Sequence, residues 1–393
     1  MTVPAAPISF APALAELDAR GLRRRRRTVR RGNPESAEIE LDGRRCVDFC
    51  SNDYLGLAAH PQVIEAFIDA AQMHGVGARA SHLVTGHQTE HEALEQELAA
   101  FTGRERAIVF STGYMANLGL VRALAGRDAV VYGDQLNHAS LIDGGRLSGA
   151  KLQRYPHGDV AALEQQLAAQ ESGTALVLTD GVFSMDGDLA PLPALAAACS
   201  KCGAYLAVDD AHGLGVIGET GRGILEHFGL SPTQVLALVG TFGKAFGTFG
   251  AFVAGSEDLI ETLIQRARTY IYTTALPPAV AAATRAALAV SISEPWRRER
   301  VLALTRRFRE LAGAAGIKLG PSETPIQPIL MGSADSAMRA SNVLLERGFF
   351  VAAIRPPTVA ADTSRLRITL SSAHRDADVE ALVAALAAVV SPE

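Results

Sequence analysis

Between residues 105 and 255 short apolar runs alternate with stretches of helical spacing. The runs at 107–110, 129–132, 175–179, 205–208, 235–239 and 250–254 predict strands, and between them lie helix-length segments such as 159–170, where Leu163 and Leu167 sit four apart. Continuous apolar strands separated by helices predict a mostly parallel sheet covered on both faces, an α/β fold. Upstream, Thr89-Glu90-His91-Glu92 reads as a capping box opening a helix, with Leu94, Leu98 and Phe101 at four- and three-residue steps. Downstream, Pro277-Pro278 interrupts the pattern, and an Ala- and Arg-rich helical region follows over 279–314. The last hundred residues mix strands at 328–331 and 366–370 with helices. This pattern divides the chain into an N-terminal segment 1–45, a large domain 46–285 and a smaller α+β domain 286–393. There is no internal repeat and no long low-complexity linker.

Ligands on parallel sheets collect at the carboxyl ends of the strands. Asp209, Lys244, Asn137-His138 and the Ser111-Thr112-Gly113-Tyr114 turn all follow predicted strands and would emerge there. Lys244 stands among glycines in Thr241-Phe242-Gly243-Lys244-Ala245-Phe246-Gly247. To attack a carbonyl its ammonium must lose a proton, and partial burial lowers a lysine pKa, so the position suits a Schiff-base lysine. Asp209 at the tip of a second strand is the partner that a pyridine nitrogen needs. The pair suggests pyridoxal phosphate, an electron sink while its ring nitrogen stays protonated. Taken singly, the two residues also read as an ordinary loop lysine and a helix cap.

The 393 residues, 48% of them hydrophobic, can bury a sizeable core. A formal net charge of −5 gives no general attraction to nucleic acid or to an anionic membrane. The longest strongly apolar stretch, 381–390, is too short to span a bilayer. Met1-Thr2-Val3-Pro4 shows no secretory signal, and the expectation is a soluble, cytoplasmic protein. Cys199-x-x-Cys202 has redox or zinc spacing and Cys46 lies close to Cys50, but the contexts are strand-like and helical. They read as small hydrophobes, with no metal site expected.

Five motifs in order then carry a resemblance: Ser51-Asn52-Asp53-Tyr54-Leu55-Gly56, Ser184-Met185-Asp186-Gly187-Asp188, Asp209-Asp210-Ala211-His212-Gly213, Thr241-Phe242-Gly243-Lys244 and Tyr272-Thr273-Thr274. From about residue 46 to 375 the chain resembles the α-oxoamine synthases, a branch of the fold-type I pyridoxal phosphate enzymes. The resemblance implies that Lys244 anchors the cofactor and moves the substrate α-proton, and that Asp209 holds the pyridinium proton. It implies further that His212 and Ser184 approach the ring's phenolic oxygen, while His138 stacks on the ring. For the phosphate, Gly113 and Tyr114 open a helix and Thr241 adds a hydroxyl. Thr273 and Thr274 match a segment that reaches the neighbouring subunit's phosphate, which implies a homodimer with shared active sites.

For the substrate carboxylate the resemblance points to Arg367, whose planar fork suits bidentate pairing, with Asn52 as a second donor. Arg365 lies on the same strand face, so the register between the two stays open. Thr358 matches a substrate contact. The turn Ala353-Ile354-Arg355-Pro356-Pro357-Thr358-Val359 resembles the branch condensing L-alanine with a pimeloyl thioester, on CoA or acyl carrier protein, with loss of carbon dioxide. In the run Arg23-Arg24-Arg25-Arg26-Arg27 one arginine would meet the acyl group. Counting back from Asn52 indicates Arg26, while a solvated helix face remains the alternative. His82, in a glycine-poor version of the 75–82 loop, either narrows the site or points outward. A sister synthase and a non-catalytic protein keeping the fold are the competing readings.

Overall fold

A computed structural model describes residues 9–33 and 35–390. Met1 to Pro4, where the sequence shows no secretory signal, lie outside them. The central sheet has seven strands in the order Arg106–Phe110, Ala251–Gly255, Ala237–Thr241, Tyr205–Asp209, Ala175–Asp180, Val130–Asp134, Lys151–Tyr155. Only Ala251–Gly255 runs antiparallel to its neighbours. Its residues and those of Ala175–Asp180 are all buried, as strands covered on both faces must be. Because Asp180 is in register with Asp209, the carboxyl ends of these neighbouring strands form one ledge.

One predicted strand shifts, and one strand is missing from the predicted set. The run at 235–239 becomes the strand Ala237–Thr241, which carries the pairing closer to Lys244. The edge strand Lys151–Tyr155 gives no apolar run, since at the sheet's edge neither face is fully covered: Lys151 and Arg154 are exposed and only Tyr155 is buried.

Helices cover the ledge's flanks. Gly113–Leu124 begins at Thr112, whose hydroxyl accepts from the Met115 N–H at 3.1 Å. Asp159 caps Val160–Ala168 in the same way at 2.9 Å. The helix Thr89–Thr102 starts one residue earlier than its expected box: Gln88 is the N-cap, and its N–H donates to His91 Nδ1 at 3.0 Å. Glu92 instead pairs with His87 at 3.2 Å. The helical region after Pro277 is two helices, Pro278–Ser293 and Trp296–Ala314, separated at Glu294-Pro295 because proline cannot continue the first ladder.

A second sheet, Ile326–Gly332, Ser364–Thr369 and Ala352–Ile354, carries Arg365 and Arg367 on its middle strand. A third joins Val29–Arg31, Glu38–Leu41 and Arg44–Asp48 to Phe349–Phe350, so position 45/46 falls inside a strand of a sheet shared by the N-terminal segment and the C-terminal part. Cys46 and Cys199 are buried, Cys50 is half-buried and Cys202 exposed, all four unpaired. No helix among the described residues is long and apolar enough to cross a membrane.

Candidate active site

The ledge opens into a cavity of about 280 Å³, lined among others by Gly113, Tyr114, His138, Ser184, Asp209, His212, Thr241 and Lys244. Sequence separation is large; the parallel sheet is what brings these residues together. Lys244 follows the strand Ala237–Thr241 and is half-buried. Burial chiefly lowers its pKa, with Arg367 adding to the effect, while Asp209, Asp180 and Asp210 oppose it. The uncharged amine is thereby brought closer to neutral pH.

Asp209 is buried at its strand end, where its Oδ2 accepts from Asn117 Nδ2 at 2.6 Å and its Oδ1 from the Ala211 N–H at 3.0 Å. Asn117 also donates to Ser140 Oγ at 2.9 Å, so the carboxylate is held from the helix Gly113–Leu124. His212 is buried, and its Nδ1 lies 2.6 Å from the Tyr54 hydroxyl. Burial, then the charges of Lys244 and Arg367, hold the His212 pKa well below its ordinary value, so the ring is neutral. Burial pushes the Tyr54 phenol up to about 12, so it keeps its proton and donates to Nδ1. That fixes the tautomer with Nε2–H available as a donor.

His138 caps the helix Ala139–Ser148 with Nδ1 and remains exposed on its open side. Its backbone N–H donates to Asp180 Oδ2 at 2.8 Å. Asp180, buried beside Asp209, has its carboxyl pKa raised well above the usual range, mainly by burial and then by that neighbouring charge.

The two arginines take different partners. Arg365 pairs with Asp186 and donates to the Met185 carbonyl, whereas Arg367 donates to the Ser184 carbonyl at 2.6 Å and Thr369 Oγ1 at 2.7 Å. Its Nη1 and Nη2 reach Asn52 Oδ1 at 3.3 and 3.2 Å, its guanidinium also hydrogen-bonds the Tyr54 phenol, and the Asn52 amide nitrogen is a neighbouring donor.

Other predicted residues lie elsewhere. Thr273 and Thr274 do not line this cavity; Thr274 bridges Ser81. His82 neither points outward nor lines the cavity, because its ring is buried and stacks on Tyr270 at 4.7 Å. In the arginine run, Arg23 and Arg25 pair with Asp18, Arg24 donates to Thr358 Oγ1 at 3.0 Å, and Arg27 lies 4.0 Å from Asp42. Arg26 is exposed and has no partner among the described residues. Arg355 donates to the Gly21 carbonyl, so the run folds against the 355–358 turn.

The cavity suits a phosphorylated pyridine aldehyde. Thr241 Oγ1 is buried without a hydrogen-bond partner among the described residues. Gly113 and Tyr114 open a helix, where backbone N–H groups lack intrahelical acceptors and attract phosphate. A Cβ on Gly113 would come within 2.7 Å of Thr241 Cγ2, so only glycine lets the helix start and Thr241 approach so closely. Tyr54, Asn117 and Asp180 were not among the residues singled out from sequence. Tyr54 falls within the Ser51–Gly56 motif, and Asn117 is a polar residue one helical turn beyond Gly113 in a helix whose only charged residue is Arg122.

Comparison with known proteins extends these observations. The sequence model of the family "Aminotransferase class I and II" matches residues 44–386. The 8-amino-7-oxononanoate synthase of Methylococcus capsulatus is 60% identical over 383 residues, spanning 98% of each chain. That of Thioalkalivibrio sulfidiphilus is 60% identical over 375 residues and 95% of each. Among solved structures, serine palmitoyltransferase from S. paucimobilis with a bound PLP–myriocin aldimine superposes with TM-score 0.91 at 32% identity, covering 97% of this chain and 96% of that one. An 8-amino-7-oxononanoate synthase from Francisella tularensis gives 0.77 at 33% identity, covering 88% and 98%. The chain therefore belongs to the class I and II aminotransferase family with the fold-type I architecture, in its 8-amino-7-oxononanoate synthase branch.

Proposed function

We propose that the protein condenses L-alanine with a pimeloyl thioester, with loss of carbon dioxide, using pyridoxal phosphate held in the strand-end cavity. The observation that carries this reading is the meeting of Lys244, Asp209 and His212 in one cavity, with the buried arginine Arg367 close enough to act on Lys244 and His212. When bound, the cofactor supplies an electron sink for the carbanion formed at the substrate Cα. Lys244 would hold it through Nζ and, released, take and return the proton at Cα; its lowered pKa favours the neutral amine that this needs. Asp209, fixed by Asn117, would keep the ring nitrogen protonated. Tyr54 sets His212 to donate from Nε2 toward the phenolic oxygen, with Ser184 a second donor. His138 would cover the ring face, and Thr241, Gly113 and Tyr114 the phosphate.

Arg367 and Asn52 would orient the alanine carboxylate. Arg26, the uncommitted member of its run, would pair with the distal carboxylate of the pimeloyl chain, with Thr358 alongside. We also propose a homodimer. Ile64, Phe67 and Ile68 make an exposed apolar stripe on the helix Pro61–His74, continued by Met73, Val76 and Val84 toward the Ser81–Thr274 bridge. Burying that stripe against a second copy would carry Thr273 and Thr274 toward the partner's phosphate. The large domain 46–285, the small domain 286–393 and a cytoplasmic location remain part of the same proposal.

Product analysis tests the reading. L-alanine with pimeloyl-CoA or pimeloyl-acyl carrier protein should give the eight-carbon amino ketone and one carbon dioxide. If an uncharged thioester of equal length turns over as well, the pimeloyl assignment fails and a sister synthase activity takes its place.

A further inference from the structure

His157 lies outside the cavity and has no part in the scheme above. It follows the edge strand Lys151–Tyr155 in the turn before Asp159, and both of its ring nitrogens meet carboxylates: Nδ1 is 3.0 Å from Asp134 Oδ1 and Nε2 is 2.8 Å from Asp188 Oδ2. Two acceptors require both ring N–H groups, which only the imidazolium possesses. The two carboxylates, opposed by partial burial, raise its pKa to about 10, so the ring is charged at neutral pH. Phe183 packs edge-on against the ring at 4.4 Å.

The two carboxylates belong to different turns, and each turn carries residues of the cavity. Asp134 ends the strand Val130–Asp134 and is 2% exposed. Its side chain also accepts from the N–H groups of Leu136 at 2.7 Å and Gly158 at 2.9 Å, and its carbonyl from that of Asn137 at 3.2 Å. This shapes the turn that delivers His138. Asp188 closes the loop at 183–188, where the Phe183 N–H donates to the Asp188 carbonyl at 3.0 Å and the Gly187 N–H to the Phe183 carbonyl at 2.7 Å. Ser184 lines the cavity from this loop, and its carbonyl receives Arg367 Nε.

The far side of the loop is welded to the second sheet's approach, since Ser322 and Thr324 hydroxyls donate to the Gly187 carbonyl at 2.9 and 3.0 Å. A Cβ on Gly187, whose φ is +72°, would meet the Ile326 carbonyl at 2.3 Å. The near side is held by His157. Without a cation between them, Asp134 and Asp188 would face each other as like charges and push the turns apart.

We propose that His157 is a positioning residue: its imidazolium straps the His138 turn to the Ser184 loop and so sets the width of the cofactor cavity and the aim of Arg367. The proposal rests on the pyridoxal phosphate reading, and its test separates the two. The full-length wild-type, H157Q and D188N proteins are stripped of cofactor and titrated with pyridoxal phosphate, following the visible absorption band and melting temperature together. Wild type should bind tightly, and both variants about ten-fold more weakly, as loss of a charge-assisted hydrogen bond predicts, with a displaced band. The double variant should be no worse than either single one, since the pair acts as a unit. A merely structural histidine would lower the melting temperature yet leave the affinity and the band unchanged, and that result overturns the proposal alone. Failure of wild type to bind overturns the cofactor reading and this proposal with it. D188N, which keeps the loop's size and its histidine, carries the test should H157Q not fold.

Discussion

The cofactor cavity and the arginine run at residues 23–27 are both polar, yet they are built in opposite ways. In the cavity Asp209 and His212 are buried, and each is held by a second buried group, Asp209 by Asn117 and His212 by Tyr54. The run is a surface array in which Arg25 keeps 76% of its side chain exposed while pairing with Asp18. Exposed pairs contribute about 0–1 kcal/mol and exchange readily. A buried group without its partner costs far more. Chemistry is thus preorganised before any ligand arrives, whereas acyl recognition is assembled from exchangeable contacts, and substitutions in the two regions should differ in kind as well as in size.

The largest effect is expected at Lys244. Lys244→Ala removes both the covalent anchor and the proton carrier, so turnover should fall by about 10³-fold or more. Steady-state assay of product checks it; a loss of ten-fold or less breaks the contrast between the regions. Next comes Asp209→Asn, which keeps the shape and removes the charge. Exchange of the alanine α-proton, followed by NMR in deuterated solvent, should slow by a factor on the order of 10². Near-normal exchange would show that another group partners the ring nitrogen.

Tyr54→Phe leaves His212 free to take either tautomer. A fall in kcat of roughly ten-fold with little change in KM for the acyl donor is expected, the size of one lost buried hydrogen bond. In the run, Arg26→Ala should raise KM for the pimeloyl donor by about five- to ten-fold with kcat nearly unchanged, and leave an uncharged acyl thioester unaffected. Equal effects on both donors would remove Arg26 from the acyl carboxylate.

The smallest effect concerns stability and pH. The folded-state pKa of His157 lies near 10, above the ordinary imidazole value of about 6.5, so its stabilising contribution is full below the latter and is lost as pH rises through the former. With its ring 30% exposed, solvent screening keeps that contribution modest. The difference in melting temperature between wild type and H157Q should therefore narrow from pH 6 to pH 10; a constant difference contradicts the imidazolium assignment.

The buried strands announce themselves as short apolar runs alternating with helical spacing, and Lys244 and Asp209 stand out because each follows such a run. Their supports do not. Asn117 reaches Asp209 across 92 residues of sequence, and within its own helix nothing marks which neighbour it will meet. Arg365 and Arg367 are both buried on one strand face, so periodicity cannot separate them; Asp186, on a distant loop, does so by engaging Arg365. The strand Lys151–Tyr155 is hidden for the opposite reason, since half of an edge strand reads as surface. Side chains that chemistry needs are legible in sequence, and the long-range hydrogen bonds that hold them are not.

The central claim, a cavity organised around Lys244 to hold pyridoxal phosphate, is tested most directly by reducing the cofactor-loaded protein with borohydride and mapping the peptides by mass spectrometry. The account predicts one phosphopyridoxyl group per chain, on the peptide that contains Lys244. A chain that takes up no cofactor, or a label fixed to a different lysine, contradicts it.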